Sequence, residues 1–157
     1  MGMYTEIFFR SDLRRDVPEQ VINTLMFMVG DIDEETALSS HPWPEHEFFQ
    51  KTRWKMIGRG GSEYFPLTES RLTYDRVLNK WRVMILSNHK NYSNETDAFF
   101  DWISPYCSES EDKFLGYELY EENDEPNIYV QTNGWRPLDM EQVQFWIDKY
   151  SKDETPL

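Results

Sequence analysis

Residues 117–131 run YELYEENDEPNIYVQ, so two tyrosine-bearing apolar stretches meet at a turn holding Glu121, Glu122, Asp124 and Glu125. Carboxylates packed this closely could hold a metal, exchange protons with a substrate or meet a cationic partner. A calcium loop needs oxygen ligands at set spacings and a glycine to turn sharply. EENDEPN has no such glycine and no terminal glutamate at the right distance. Acid–base work needs carboxyl groups whose pKa values are driven apart by burial or neighbours. A hairpin tip is wet, which opposes such shifts. Strand-borne Glu118 is better placed, but it alternates with Tyr117 and Leu119 and is expected to face solvent. A solvated turn explains the cluster without any ligand. The functional reading is a binding surface, in which Tyr120, Tyr129 and Trp135 share a face with Glu118, Glu121, Glu122, Asp124 and Glu125. Aromatics beside anions resemble a protein-binding patch more than a solubility device.

The other constellations are weaker. Asp31 and Asp33 in DIDEE have the spacing of a magnesium-holding pair, without any partner motif, and read as a charged helix exit. His41 and His46 in HPWPEHE do not make the His-Glu-x-x-His pattern of a zinc helix, and a zinc site needs three or four converging ligands. Cys107 has no histidine nearby in sequence, and there is no G-x-S-x-G elbow. The stretch GRGGSEYF (58–65) puts backbone N–H groups beside Arg59, as an anion nest would. It matches neither a Walker loop nor a dinucleotide fingerprint, and reads as a hairpin connection. No metal or cofactor is therefore expected, and an enzyme is the less favoured class.

These residues need a frame. The chain of 157 residues suits one domain, 1–157, and its 16% aromatic content supplies an ordered core. The single cysteine cannot form an internal disulfide, which favours a reducing compartment. The N-terminus lacks the pattern of a signal peptide, and no apolar run has bilayer length, so a cytoplasmic location is expected. The net charge of −13 is unevenly placed: residues 1–93 hold 12 basic and 13 acidic side chains, residues 94–157 hold 4 and 16. Inside the first part lies a basic stretch, with 9 basic and 3 acidic side chains over residues 51–90. Trp54, Tyr64, Tyr74 and Trp81 interleave with those cations and could stack on bases. The overall negative charge opposes binding a polyanion, and alternation on a sheet's outer face accounts for the pattern, so direct nucleic-acid binding is not favoured.

The expected elements are a strand over 4–13 and a helix over 16–29, with Asp16 as cap, Pro18 in its first turn and Gly30 as a left-handed exit. Residues 31–50 read as a structured loop with a helical turn near 45–50. Strands follow over 52–58, 70–77 and 80–89, the last two joined through Leu78 and Asn79. A helix over 94–104 carries a stripe of Phe99, Phe100, Trp102 and Ile103. The hairpin of 114–132 and a helix over 139–152 complete the chain. Short turns between consecutive strands favour antiparallel pairing, so the class is α+β, a mostly antiparallel sheet of about five or six strands with two or three helices on one face. A ferredoxin-like arrangement is compatible with this order.

Such a chain suits a non-catalytic acidic binding module. It would be a stoichiometric inhibitor or immunity-type protein whose anionic last third masks a basic, nucleic-acid-binding surface on a partner such as a nuclease. Two alternatives stand beside it. One is a ligand-binding or enzymatic cleft near residues 31–50, lined by Trp43, His46 and the glycine turn. The other is an oligomerising subunit whose Phe48, Phe49 and Trp135 pack on a second chain.

Overall fold

A computed structural model describes residues 3–63, 65–108, 113–132 and 134–138. Strand β1 (Thr5–Asp12) alternates strictly, burying Thr5, Ile7, Phe9 and Ser11 and turning Glu6, Phe8, Arg10 and Asp12 to the other side. This period of two is what a strand with one covered face requires. Helix α1 (Glu19–Met28) buries Val21, Ile22, Leu25 and Met28, and Gly30 at φ +90° ends it in the left-handed region that glycine tolerates. Its expected cap is absent: Asp16 pairs with Arg14 at 3.0 Å, and the helix begins after Pro18.

Residues 31–50 hold more regular structure than their composition suggests. Helix α2 (Glu34–Ser40) is capped by Asp33, whose Oδ1 accepts the Thr36 N–H at 2.7 Å. Only Ala37 of α2 is buried, so there is no apolar stripe to announce the helix. A 3-10 turn (Glu47–Gln50) follows, as expected near 45–50.

The strand expected over 52–58 does not form. The segment is a run of turns leading into the short helix α3 (Met56–Arg59). Its buried apolar residues, Trp54 and Ile57, are three apart, a helical spacing, and Met56 between them is exposed. Gly58 lies so close to α1 that a Cβ would stand 2.1 Å from the Met28 carbonyl oxygen.

Strands β2 (Arg71–Asp75) and β3 (Lys80–His89) form the expected hairpin, with Asn79 at φ +52° and the Asp75 carboxylate accepting from the N–H groups of Val77 and Leu78. The end of β3 is covered on both faces, since Ser87, Asn88 and His89 are all buried. Helix α4 (Glu95–Ile103) buries Phe99, Phe100, Trp102 and Ile103, as its stripe predicts. The chain then forms β4 (Phe114–Tyr120), β5 (Asn127–Thr132) and β6 (Gly134–Leu138). The helix expected over 139–152 lies outside the described residues.

The six strands stand in the order β2-β3-β1-β4-β5-β6, every neighbouring pair antiparallel. The class is α+β. Strands β1 to β4 with the intervening helices make the β-α-β-β-α-β order of a ferredoxin-like unit, and β5 and β6 extend it beyond β4. The core joins the inner face of β1 and β3 to α1, α3 and α4 through Phe9, Leu25, Phe48, Ile57, Ile85 and Phe99. Ser11, Val83, Ile85 and Ser87 face the helices, which leaves Arg10, Arg82 and Met84 on the opposite side, where no helix packs among the described residues. No helix among the described residues is long and apolar enough to cross a membrane.

Candidate functional site

The β4–β5 hairpin has a buried root and an exposed tip. At the root, the Tyr129 ring stacks on Phe100 of α4 with centroids 3.9 Å apart and planes 7° apart, and is fully buried. Its hydroxyl donates to Asp97 Oδ1 at 2.5 Å, and burial together with the neighbouring Glu118 carboxylate raises its pKa. Tyr129 is thus a core residue, out of reach of any partner.

Glu118 departs from expectation in the opposite sense. It is half-buried instead of freely solvated. The register places it opposite Ile7 on β1 and Asn127 on β5, on the face that packs under α4. Asn127 Nδ2 donates to Glu118 Oε1 at 3.0 Å, and Asn91 Nδ2 approaches Oε2 at 3.4 Å. Burial raises the Glu118 pKa. Asn127 holds the carboxylate partly in check, and the Asp97 charge raises the pKa further. The inside–outside alternation assumed for this strand is offset by one residue, because a bulge shifts the β4–β5 register between Phe114 and Gly116. There Gly116 passes so close to β1 that a Cβ would lie 1.9 Å from the Phe8 carbonyl oxygen.

A polar cluster continues inward from Glu118. Asn91 Oδ1 accepts the Thr96 N–H at 3.0 Å in the first turn of α4, where the Asn94 side chain makes no cap bond, and Thr96 Oγ1 lies 3.2 Å from His89 Nε2. His89 is buried with no hydrogen-bond partner at Nδ1, and desolvation pulls its pKa down to about 4 despite Asn91 and Glu95. It is neutral at physiological pH. Glu95 is fully buried and satisfied by backbone donors, the N–H groups of Ser93 at 2.9 Å and Arg53 at 3.1 Å.

Towards solvent the same residues border a groove of about 270 Å³, lined by Asn91, Tyr92, Glu118, Tyr120, Asn123 and Asn127 together with Met3 and Thr5. No basic side chain lines it. Tyr120 is half-buried there, its hydroxyl pKa raised by burial and then by Glu122 and Glu121. Glu121 closes the turn, accepting the Tyr4 N–H at 2.7 Å. Glu122, Asp124 and Glu125 are exposed beyond it, without an ion pair or side-chain hydrogen bond among the described residues. The fold therefore brings Glu118, Tyr120 and Glu121 around one groove, leaves Glu122, Asp124 and Glu125 at its rim, and withdraws Tyr129. The Trp135 side chain lies outside the described residues. Asn91, Tyr92, Asn123 and Asn127 also line the groove; isolated polar residues carry no periodic signal that sequence alone would reveal.

The remaining candidates have structural roles. His46 caps the 3-10 turn by accepting the Phe48 N–H at Nδ1, and its Nε2 meets Asp101 at 2.9 Å. His41 lies 4.0 Å from Glu19. Cys107 is buried against the Ile103 carbonyl. Arg59, expected beside an anion nest, donates to the Phe27 carbonyl and sits over its ring at 4.2 Å. Trp43, proposed as a cleft wall, packs on Phe27 at 4.9 Å and Trp54 at 5.0 Å. Phe48 and Phe49, proposed as exposed interface residues, join the same aromatic cluster, Phe48 fully buried and Phe49 partly so. Among the described residues, no group of three or more His, Cys, Asp or Glu side chains is placed to hold a metal. No family model, curated protein or solved structure matches the chain.

Proposed function

We propose that this chain is a small cytoplasmic binding protein that presents the tip of its β4–β5 hairpin to a basic protein surface, as a stoichiometric inhibitor or immunity-type protein would. One observation carries the reading. Three exposed carboxylates without cationic neighbours stand over a groove that has tyrosine walls, asparagine acceptors and the partly desolvated Glu118 at its floor. The tip supplies long-range attraction, which raises the rate of encounter. The groove supplies the short-range anchor, with room for one cationic side chain between Tyr92 and Tyr120. Docking a cation there lowers the Glu118 pKa, so that binding releases a proton where Glu118 is partly protonated.

The test is a capture experiment on native cell extract with two baits, the wild-type chain and a Glu122→Gln, Asp124→Asn, Glu125→Gln variant. A basic protein should be retained by the wild type at about 50 mM salt, released by about 300 mM, and retained much less by the variant. Dissociation constants of the purified pair should rise at least tenfold in Glu118→Ala and Tyr92→Ala. A partner held equally by both baits and insensitive to salt would sink the proposal.

A further inference from the structure

The sheet face on which no helix packs among the described residues carries a second surface of different chemistry, and we propose that it binds single-stranded nucleic acid. Two adjoining patches make it up. The first is aromatic: Phe8 at the centre of β1 stacks with Phe114 (centroids 6.5 Å apart, planes 21°) and with Tyr117 (5.7 Å, 24°) across the neighbouring strand. Phe114 is 42% exposed, and Phe8 and Tyr117 are half-buried. The three near-parallel rings stack in series, Phe114–Phe8–Tyr117, and the exposed Phe114 at one end offers a ring on which a base of any identity can stack.

The second patch begins two residues further along β1. Arg10, Arg71, Arg82 and Lys113, with Thr73 and Met84 and the carboxylates Asp12 and Glu69, border an open groove of about 710 Å³. The register explains the convergence, since Arg10 pairs with Met84, which pairs with Arg71, while Asp12 pairs with Arg82, which pairs with Thr73. Alternation therefore sets the cationic side chains of three strands on one side. Arg10 is exposed and has no ion pair among the described residues. Arg82 spends Nε on Asp12 at 3.0 Å and Nη1 on Asp75 at 3.1 Å, and Arg71 spends Nη2 on Glu69 at 2.6 Å. Each guanidinium is thereby fixed in orientation with further N–H donors to offer, and a planar fork of donors suits phosphate. Surface ion pairs of this kind are weak enough for a phosphate to compete.

The occupant must be anionic along its length and carry flat apolar groups beside the charges. A single strand has both. A duplex keeps its bases stacked inside and would leave Phe8 and Phe114 unused. Of the aromatics that interleave with the basic residues in sequence, Trp54 is core and Trp81 and Tyr74 pack on each other at 5.1 Å on the helix side of the sheet, so these three play no part, while Tyr64 lies outside the described residues. The acidic tip does not line this groove.

Fluorescence anisotropy with labelled oligouridylate and oligothymidylate of about eight nucleotides tests the assignment at low salt. Saturable binding is expected, with log affinity falling against log salt at a slope of about −2 for the three arginine contacts. Arg10→Glu, an exposed position that leaves the fold intact, should weaken binding at least tenfold, and Phe114→Ala about tenfold. Neutralising Glu122, Asp124 and Glu125 should leave binding unchanged or slightly tighter. No saturable binding, or equal affinity in Arg10→Glu, overturns the proposal. So does sedimentation that shows an Arg10-dependent dimer in place of oligonucleotide binding, which would give the face to a second copy of the chain.

Discussion

The open sheet face and the hairpin tip are both rich in charge, and they hold it in opposite ways. On the sheet face the charges interlock. Asp12 meets Lys80 at 2.6 Å and Arg82 at 3.0 Å, and Arg82 reaches on to Asp75. Despite burial, those cations hold the Asp12 carboxyl below its ordinary value. At the tip, Glu122, Asp124 and Glu125 have no such neighbours. A ladder of paired strands forces side chains two residues apart, and those directly across, into contact, so opposite charges find one another. A turn projects its side chains outward and leaves them unpaired. Local geometry thus decides how far a charge is engaged by its own neighbours.

That contrast can be broken or sharpened by experiment. The largest effect belongs to the hairpin's root. Tyr129→Ala should cost about 4 kcal/mol in chemical denaturation, because it empties a buried ring site and leaves Asp97 without its donor. A loss below about 1 kcal/mol would mean the root is not a core element, and the division of the hairpin into root and tip would fail.

Next in size is His89. Its folded-state pKa of about 4 lies below the ordinary value of 6.5, so the unfolded chain binds more protons between those limits. Stability from this group is fully present above about pH 6.5 and is lost as pH falls towards 4, to a total of about 3 kcal/mol. His89→Gln should flatten that part of the denaturation profile. Glu118 has the reverse sign: its pKa is raised, so the folded state holds the proton more tightly. Its contribution therefore declines as pH rises above about 4.5.

Smaller again is Asp12→Asn on the sheet face, about 1 kcal/mol once solvent screening is counted. The smallest structural effect should come from neutralising the tip, which should move the melting temperature by less than about 2 °C while slowing association with a basic partner about tenfold. A large stability change from the tip would show that its carboxylates serve the fold.

Much of this architecture is written in periodicity. The alternation of β1, the spacing of α1, the stripe of α4 and the turn at Leu78–Asn79 all survive folding, because each side chain's burial follows from its own element. The failures share a cause, since there tertiary contact outweighs local pattern. Thr52–Gly58 looks extended, yet Trp54, Ile57 and Gly58 are claimed by α1 and the aromatic cluster. Glu118 looks solvent-facing, yet a bulge re-phases its strand. The carboxylates of the tip were legible, because turn residues are visible in sequence. The groove beside them was not, since it joins Met3 and Thr5 to Asn91 and Asn127 across the width of the sheet.

Strands β5 and β6 have one more consequence. They convert β4 from the margin of a four-stranded sheet into an interior strand, and among the described residues β6 takes the margin on that side. At the opposite rim, β2 is guarded by Arg71 and Asp75, charges of the kind that discourage strand-to-strand association between molecules. A chain cut after Tyr120 would lose that protection on its other flank, exposing the unpaired backbone of β4 beside Phe114 and Leu115, and it should precipitate or polymerise where the intact chain does not.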